Sequence, residues 1–265
     1  MSRLKALIVV VFFISLVSSS NTFADEKLRV SAINWPPYFI YDEHSEASGI
    51  VSDVLAEVKK RLNVELEIIK LPQKRMVTYF RSGELDIDPT SSKVWREADK
   101  DVSLYTIPYL KVQKVIFVKH STEITGDYIN DFQGKTLGSI LGYHHNFFVG
   151  KAFDDQLVDR KDSRSHDINL KLLKADRIDG LIIERQAAKY WISQLNDDID
   201  AYKEAYDAGP AIDISMRIHK SQAALLPKLN RVLTEMIAEG FIKNAVAIHT
   251  KTPKAYIISE NDLAD

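Results

Sequence analysis

The sequence contains no cysteine. Without thiols the chain forms no disulfide, carries no lipid-modified cysteine and has no thiolate for catalysis or metal binding. It also lacks an excess of charge of either sign, because 35 Lys and Arg stand against 37 Asp and Glu. Such a balance does not favour nucleic acid or another polyanion as a partner. We therefore expect stability to rest on the hydrophobic core, with no metal, no cofactor and no nucleic acid bound.

No hydrophobic run is long enough for a comfortable membrane span. The longest apolar stretch, Ala6–Val17, follows the basic residues Arg3 and Lys5 and precedes a small residue, Ala24. A basic start, a short apolar run and a small residue before a polar segment are typical of a secretory signal peptide. We predict that residues 1–24 are a cleaved signal peptide and that the mature chain enters the bacterial periplasm.

The first part of the mature chain alternates between two hydrophobic periods. Patterns of period 2 predict strands at 28–33, 64–68 and 85–88, and helical periods lie between them at 49–63 and 72–83. A β-α-β-α-β order is typical of a parallel sheet with crossover helices.

A second unit follows a long extended run at 109–118, which is long enough to leave one lobe and enter another. The predicted later elements are a strand at 136–140, a helix beginning near Tyr143, a helix at 167–175, a buried strand at 179–183, a helix at 187–194, a return strand at 211–218 and a final helix at 221–240.

Two aromatic residues stand out after the first strand. Trp35 and Tyr38 flank Pro36 and Pro37, and the prolines stiffen the loop that presents them. The pair can form an apolar wall for a ligand, or it can plug the core.

A polar segment with three hydroxyl side chains follows the strand at 85–88. Thr90, Ser91 and Ser92 lie where a strand ends, which is the usual ligand position in an open α/β sheet. Arg96 follows and can grip a carboxylate through two parallel hydrogen bonds, or it can be a surface arginine. Arg75, in the first turn of its helix, opposes the helix dipole and is a weaker candidate, with a solvated arginine as the alternative.

The second unit offers three further candidates. Tyr143 and His144 lie at a predicted helix start, where backbone N–H groups can face an anion. Since His144 and His145 are adjacent and point in different directions, we expect no two-histidine metal site and at most one of them facing a cleft. Glu184 ends a buried strand, where it can hold a ligand cation, act as an acid at a helix N-terminus, or do both.

Taken in order, these motifs resemble the family 3 periplasmic solute-binding proteins, such as the lysine/arginine/ornithine- and glutamine-binding proteins. The resemblance covers residues 27–251 and rests on Trp35, Pro37 and Tyr38, Gly49-Ile50, the segment 83–86, Arg96, Pro108-Tyr109, the segment 132–138, Asp179-Gly180 and the segment 240–242.

The resemblance implies an α/β, two-lobed periplasmic binding protein fold (type II), each lobe a mainly parallel sheet flanked by helices, with the ligand cleft between the lobes. One lobe would hold residues 25–111 and 213–265, and the other 112–212. It also implies roles for individual residues. Arg96 would clamp an α-carboxylate and Glu184 an α-ammonium, Trp35 would pack on the ligand, and Thr90 to Ser92 would supply hydroxyls.

The sequence departs from the family pattern at three places, one of which is the helix start at 71–75. The loop between Asp86 and Arg96 is shorter than in the amino-acid binders, and Gly142-Tyr143-His144 replaces a glycine followed by a small hydroxyl residue.

The function expected from the resemblance is that of a monomeric receptor, not an enzyme. It would close on a small amino-acid-like or carboxylate ligand and deliver it to an inner-membrane ABC permease. The alternatives are a periplasmic enzyme of the cyclohexadienyl dehydratase type, with Glu184 or His144 as general acid, and a ligand sensor that docks on a membrane signalling receptor.

Overall fold

The computed structural model describes residues 27–41, 47–143, 145 and 147–250. Three predictions lie outside the described residues: the signal peptide at 1–24, the role of His144 and the assignment of 251–265 to a lobe. No helix in the described ranges has both the length and the apolar character needed to cross a membrane.

The chain alternates between strands and helices along most of its length. The strands in the described residues are β1 (Leu28–Ala32), β2 (Leu66–Lys70), β3 (Ile87–Ser91), β4 (Ser103–Tyr105), β5 (Leu110–Val112), β6 (Lys114–Lys119), β7 (Thr136–Ile140), β8 (Asp159–Ser163), β9 (Gly180–Glu184), β10 (Tyr202–Asp207) and β11 (Ile212–His219). The α-helices are α1 (Ile50–Leu62), α2 (Gln73–Arg81), α3 (Tyr128–Phe132), α4 (Phe147–Asp154), α5 (His166–Lys174), α6 (Arg185–Gln194), α7 (Leu226–Ala238) and α8 (Phe241–Thr250).

The strands form two separate sheets. The first has the order β2-β1-β3-β11-β4, with β5 also pairing with β11, and the second has the order β10-β6-β9-β7-β8. In each sheet one strand pairs in parallel with two others: β1 with β2 and β3, and β7 with β8 and β9. Both sheets are mixed rather than mainly parallel, because β11 and β6 run antiparallel to their neighbours.

Each sheet buries its own apolar side chains against helices. The largest core lies between the first sheet and helices α1, α7 and α8, with Val30, Val54, Met216 and Val232 fully buried. Two further cores cover the two faces of the second sheet. The structure thus has the expected two-lobed α/β architecture, while the residue boundaries of the lobes stay a prediction.

Two chain segments pass side by side from the first sheet to the second. β5 pairs with β11 in the first sheet and β6 pairs with β9 and β10 in the second, so the extended run at 109–118 is broken at Gln113. Gln113 Nε2 donates to the carbonyl oxygens of Gly209 at 2.7 Å and Lys114 at 2.9 Å. The backbone N–H of Ala208 also donates to the Lys114 carbonyl, at 2.7 Å. These bonds hold the two crossing segments together at the natural place for a hinge.

The strand predicted at 85–88 lies further along the chain. It is β3, so Thr90 and Ser91 belong to the strand and only Ser92 follows it. Pro89 marked a strand end in the sequence because it cannot donate a ladder hydrogen bond. In the structure the neighbouring strand β11 shifts register between Ser215 and Arg217, and this irregularity accommodates the proline.

The prediction of a helix beginning near Tyr143 was wrong. Gly142 has φ +83°, and the Tyr143 N–H donates to the Ile140 carbonyl at 3.0 Å. A positive φ suits a turn and glycine adopts it without strain. The chain therefore turns here, and α4 begins only at Phe147.

The prediction of a final helix at 221–240 was wrong in two respects: the helix begins later, and another helix follows it. Lys220–Leu225 forms a 3₁₀ segment, and α7 begins at Leu226 with Pro227 in its first turn, where a missing N–H costs nothing. The helix α8 then follows Gly240.

Candidate functional site

A cavity of about 580 Å³ lies between the two sheets. Its walls come from the carboxyl ends of β1, β3, β7 and β9 and from the two crossing segments, and a volume of this size is ordinary for a small-molecule site. The lining residues are Ile33, Asn34, Trp35, Gln73, Thr90, Trp95, Arg96, Val112, Lys114, Gly142, Tyr143, His145, Glu184, Ala208, Gly209, Pro210 and Ile212. Five of the ten residues predicted from sequence, those at 35, 90, 96, 143 and 184, are among them.

The loop after β1 separates the roles of its two aromatic residues. Trp35 lines the cavity, whereas Tyr38 is only 1% exposed and lies in the core of the first lobe. The two ring centroids are 4.4 Å apart, so the Tyr38 ring packs against the Trp35 ring from the core side. The Tyr38 N–H donates to the Trp35 carbonyl at 2.8 Å, which closes the loop on itself.

The start of α1 fixes this loop in place. The N–H groups of Ile50 and Val51 donate to the carbonyls of Pro37 and Tyr38, at 3.1 and 2.8 Å. Gly49 makes this approach possible: it has φ +109°, and a Cβ there would lie 2.7 Å from the carbonyl oxygens of Pro37 and Tyr38. The first-turn N–H groups of the helix, which have no partner inside the helix, thus hold the loop that carries Trp35.

Glu184 reaches the cavity from the second lobe. It stands directly before α6, yet its side chain makes no capping hydrogen bond with that helix. Instead Trp35 Nε1 donates to Glu184 Oε2 at 2.9 Å, across the cavity from the first lobe. Burial raises the pKa of this carboxyl to about 7, although the Trp35 hydrogen bond and the charge of Lys114 lower it. A carboxyl in this state gains much from a cation that binds its ionised form.

Arg96 faces Glu184 from the first lobe side of the cavity. It follows the short 3₁₀ segment Lys93–Trp95, is half-buried, and its Nε is buried without a hydrogen-bond partner. A buried N–H of this kind is costly unless an acceptor is supplied. Trp95, 39% exposed, lies beside it with its ring centroid 6.2 Å from that of Trp35. The cavity thus offers a guanidinium and two indole rings on one side.

Besides Tyr38, three predicted residues do not line the cavity. Arg75 is exposed on the first turn of α2, and the neighbouring Gln73 lines the cavity in its place. Ser91 and Ser92 are buried, and the Ser91 hydroxyl has no hydrogen-bond partner. Of the three hydroxyl residues, Thr90 is the one that reaches the cavity.

The turn after β7 forms the opposite rim of the cavity. Burial, with a smaller contribution from the Glu184 charge, raises the pKa of the Tyr143 phenol to about 12, so this side chain stays a neutral donor. Arg160 Nη2 donates to the Tyr143 carbonyl at 2.8 Å and holds the turn. His145 lines the cavity with its Nε2 2.6 Å from Ser139 Oγ.

Sequence reasoning missed Lys114 and Trp95. Lys114 begins β6, lies directly across from Glu184 in the antiparallel β6–β9 pair, and lines the same cavity. A lysine at the start of a buried strand was the available signal, but its meaning depends on which strand lies beside it. Trp95 directly precedes Arg96, and its signal was an aromatic residue in a polar stretch.

Metal binding finds no support in the part of the chain that the structure describes, where no three His, Asp or Glu side chains are grouped to hold an ion.

The model of bacterial extracellular solute-binding proteins, family 3, matches residues 28–251. The chain belongs to this family. This match confirms the two expectations drawn from the resemblance: a two-lobed fold with a cleft between the lobes, and a general function as a solute receptor.

Individual family 3 relatives are distant in sequence. The chain is 24% identical over 229 residues to a probable amino-acid-binding protein, YxeM, of Bacillus subtilis, covering 85% of this chain and 84% of that protein. It is 22% identical over 211 residues to a probable histidine-binding protein of Campylobacter jejuni. This match covers 80% of this chain and 79% of that protein.

A solved structure of similar fold is the second substrate binding domain of a putative amino acid ABC transporter from Streptococcus pneumoniae. Its TM-score is 0.68 at 18% identity, covering 85% of this chain and all of that one. At this identity the likeness supports the fold alone.

Proposed function

We propose that this family 3 protein is a periplasmic receptor that closes on a small amino-acid-like ligand and passes it to an inner-membrane ABC permease. The single observation that carries the proposal is the placement of Arg96 and Glu184 on opposite sides of one cavity. Arg96 would hold the ligand carboxylate through two hydrogen bonds, and Glu184 would hold its ammonium group. The amino-acid-binding relatives support this ligand class.

Closure of the two lobes on the ligand follows from the placement of Arg96 and Glu184 on opposite sides of the cavity. A ligand shifts the balance between open and closed forms only through contacts that differ between them. A zwitterion held by Arg96 on the first lobe and Glu184 on the second makes both contacts only when the lobes are together. The bond between Trp35 and Glu184 already joins the two sides, so the ligand ammonium would compete with the indole N–H for the same carboxylate. Trp35 and Trp95 would then pack on the apolar part of the ligand.

A thermal-shift screen tests the proposal. The mature protein, refolded to strip bound ligand, is screened against amino acids, small carboxylates and aromatic acids. A ligand that binds only the folded protein raises the melting temperature with increasing concentration. We expect a hit that Arg96→Met abolishes and that Arg231→Met, a change of the same type on the exposed face of α7, leaves intact. A complete absence of hits across the panel would count against the amino-acid receptor.

An enzyme of the cyclohexadienyl dehydratase type is the second candidate, and one observation favours it. The raised pKa of Glu184 leaves a fraction of this carboxyl protonated near pH 7, which suits a general acid. Against it stand the relatives, which are named as binding proteins. Incubation of the wild-type protein with prephenate should yield no phenylpyruvate absorbance above that of Glu184→Gln. Product formation that depends on Glu184 would overturn the receptor in favour of the enzyme.

The permease is inferred from transport-type relatives, and uptake is its test. Cells that lack the gene should lose uptake of the radiolabelled ligand and regain it with the wild-type gene but not with Arg96→Met. Unchanged uptake in the deletion strain would favour the alternative of a sensor that docks on a signalling receptor.

A further inference from the structure

Lys114 gives the cavity a second cation next to Glu184. The two residues face each other across the β6–β9 pair, where directly opposite side chains lie on the same face of the sheet. The Lys114 side chain is half-buried and lines the cavity. Its Nζ lies 5.4 Å from the centroid of the Tyr143 ring, and it makes no hydrogen bond or ion pair with any described residue. The ammonium therefore interacts with the Glu184 carboxylate through space but is not directly bonded to it.

The lining of the cavity thus carries more positive than negative charge. Among the described lining residues the formally charged side chains are Arg96, Lys114 and Glu184, two cations and one carboxylate. The nearby His166 adds no charge at neutral pH, because burial lowers the pKa of its imidazole to about 4. A neutral zwitterion would use Arg96 and Glu184 and leave Lys114 unpaired inside a closed site. Burying an unpaired charge is expensive, and a ligand with one more acidic group would avoid that cost.

We propose that Lys114 is a specificity-determining residue that selects ligands with a second acidic group, so that the preferred ligand is a small amino-dicarboxylic acid of net charge −1. This inference rests on the proposed function, because it takes the roles of Arg96 and Glu184 from it. The first carboxylate would bind Arg96, the ammonium Glu184, and the second carboxylate Lys114. Tyr143, with its ring beside the lysine, would keep Nζ directed into the cavity.

The competing explanation is that Lys114 only offsets the buried charge of Glu184. The two explanations differ in how the protein treats ligands of equal shape and different charge. If the lysine is a counter-charge, its removal weakens all amino-acid ligands alike. If the lysine binds a second carboxylate, its removal weakens the binding of acidic ligands and leaves the binding of their amides unchanged.

Isothermal titration with two matched pairs tests the inference: glutamate against glutamine, and aspartate against asparagine. For the wild-type protein we expect one acid to bind at least tenfold more tightly than its amide. In Lys114→Met the affinity for that acid should fall at least tenfold, and the affinity for the amide should change less than threefold. Lys151→Met, which removes the same charge at an exposed site on α4, should retain the wild-type preference.

The outcomes separate the inference from the proposed function. Amides that bind as tightly as acids, with binding that Arg96→Met abolishes, would overturn the inference and leave the amino-acid receptor standing. An equal loss for acids and amides in Lys114→Met would overturn it in favour of the counter-charge. Failure of every amino acid and carboxylate to bind the wild-type protein would count against both.

Discussion

The indole N–H of Trp35 donates a hydrogen bond of 2.9 Å to Oε2 of Glu184, and this bond connects the two lobes across the cavity. The residues are 149 positions apart in the chain. They meet because Trp35 lies in the loop directly after the first strand of one sheet and Glu184 ends a buried strand of the second sheet. The proposed ligand site is built around this contact.

Tryptophan fluorescence should report ligand binding through Trp35. The sequence has three tryptophans, of which Trp35 and Trp95 line the cavity while Trp191 packs on the core beside the second sheet. A ligand that displaces the indole N–H from Glu184 changes the surroundings of Trp35. We expect Trp35→Phe to lose at least half of the ligand-induced change in emission, and Trp191→Phe to keep it. Loss of the signal in Trp191→Phe alone would place the ligand elsewhere.

The stability of the ligand-free protein should depend on the protonation of Glu184. Its folded-state pKa of about 7 lies above the ordinary 4.5, so the folded protein holds this proton where the unfolded chain has released it. The favourable contribution is complete below about pH 4.5 and is lost as the pH rises to and beyond 7. A shift of this size corresponds to about 3 kcal/mol of unfolding free energy.

Urea denaturation of the wild-type protein and Glu184→Gln at pH 5 and pH 8 checks this dependence. The glutamine keeps an acceptor for Trp35 but does not titrate. We expect the wild-type protein to lose stability relative to the variant between pH 5 and pH 8. Equal changes in the two proteins over this range would show that Glu184 titrates normally.

The first lobe contains a buried cation whose removal should be costly. Arg217 is fully buried on β11, with Nη1 2.9 Å from Asp99 Oδ2 and Nε 3.5 Å from Asp88 Oδ2. Its guanidinium carbon lies 3.6 Å from the centroid of the Phe80 ring. Removing the arginine leaves the buried Asp88 carboxylate without its cation, while Asp99 keeps an ion pair with Arg81.

We therefore expect Arg217→Met to lower the free energy of unfolding by about 3–5 kcal/mol. The matched control is Arg231→Met, which breaks an exposed pair with Glu235 one helical turn away and should cost less than about 0.5 kcal/mol. Chemical denaturation of both variants at pH 7 gives the comparison. Equal small losses would mean that the buried carboxylates are neutral or otherwise paired.

Much of the fold was predictable because local periodicity and burial agree. Helix α1 buries residues at spacings of three and four, Ile50, Val54 and Val58 among them, and β9 is an apolar run that ends in Glu184. The errors arose where contacts with a neighbouring strand outweighed a local sequence preference. Pro89 predicted a strand end, but the irregular register of β11 keeps it inside β3.

The candidate site was predictable only in part, because its chemistry depends on which elements lie side by side. Arg96 and Glu184 follow recognisable motifs. Lys114 gains its significance from the antiparallel pairing of β6 with β9, which no local pattern in β6 reveals. Trp35 and Tyr38 are three residues apart in one loop, and no local pattern distinguishes which of them lines the cavity. The fold buries the second beneath the first.

The central claim is that one ligand is held between Arg96 on the first lobe and Glu184 on the second. Its most direct test is isothermal titration of the ligand found in the screen into the wild-type protein, Arg96→Met, Glu184→Gln and the control Arg231→Met. Each site variant should lose at least 30-fold in affinity, about 2 kcal/mol or more, as for a desolvated charge pair, and the control should match the wild type. Wild-type affinity in both site variants would contradict the claim.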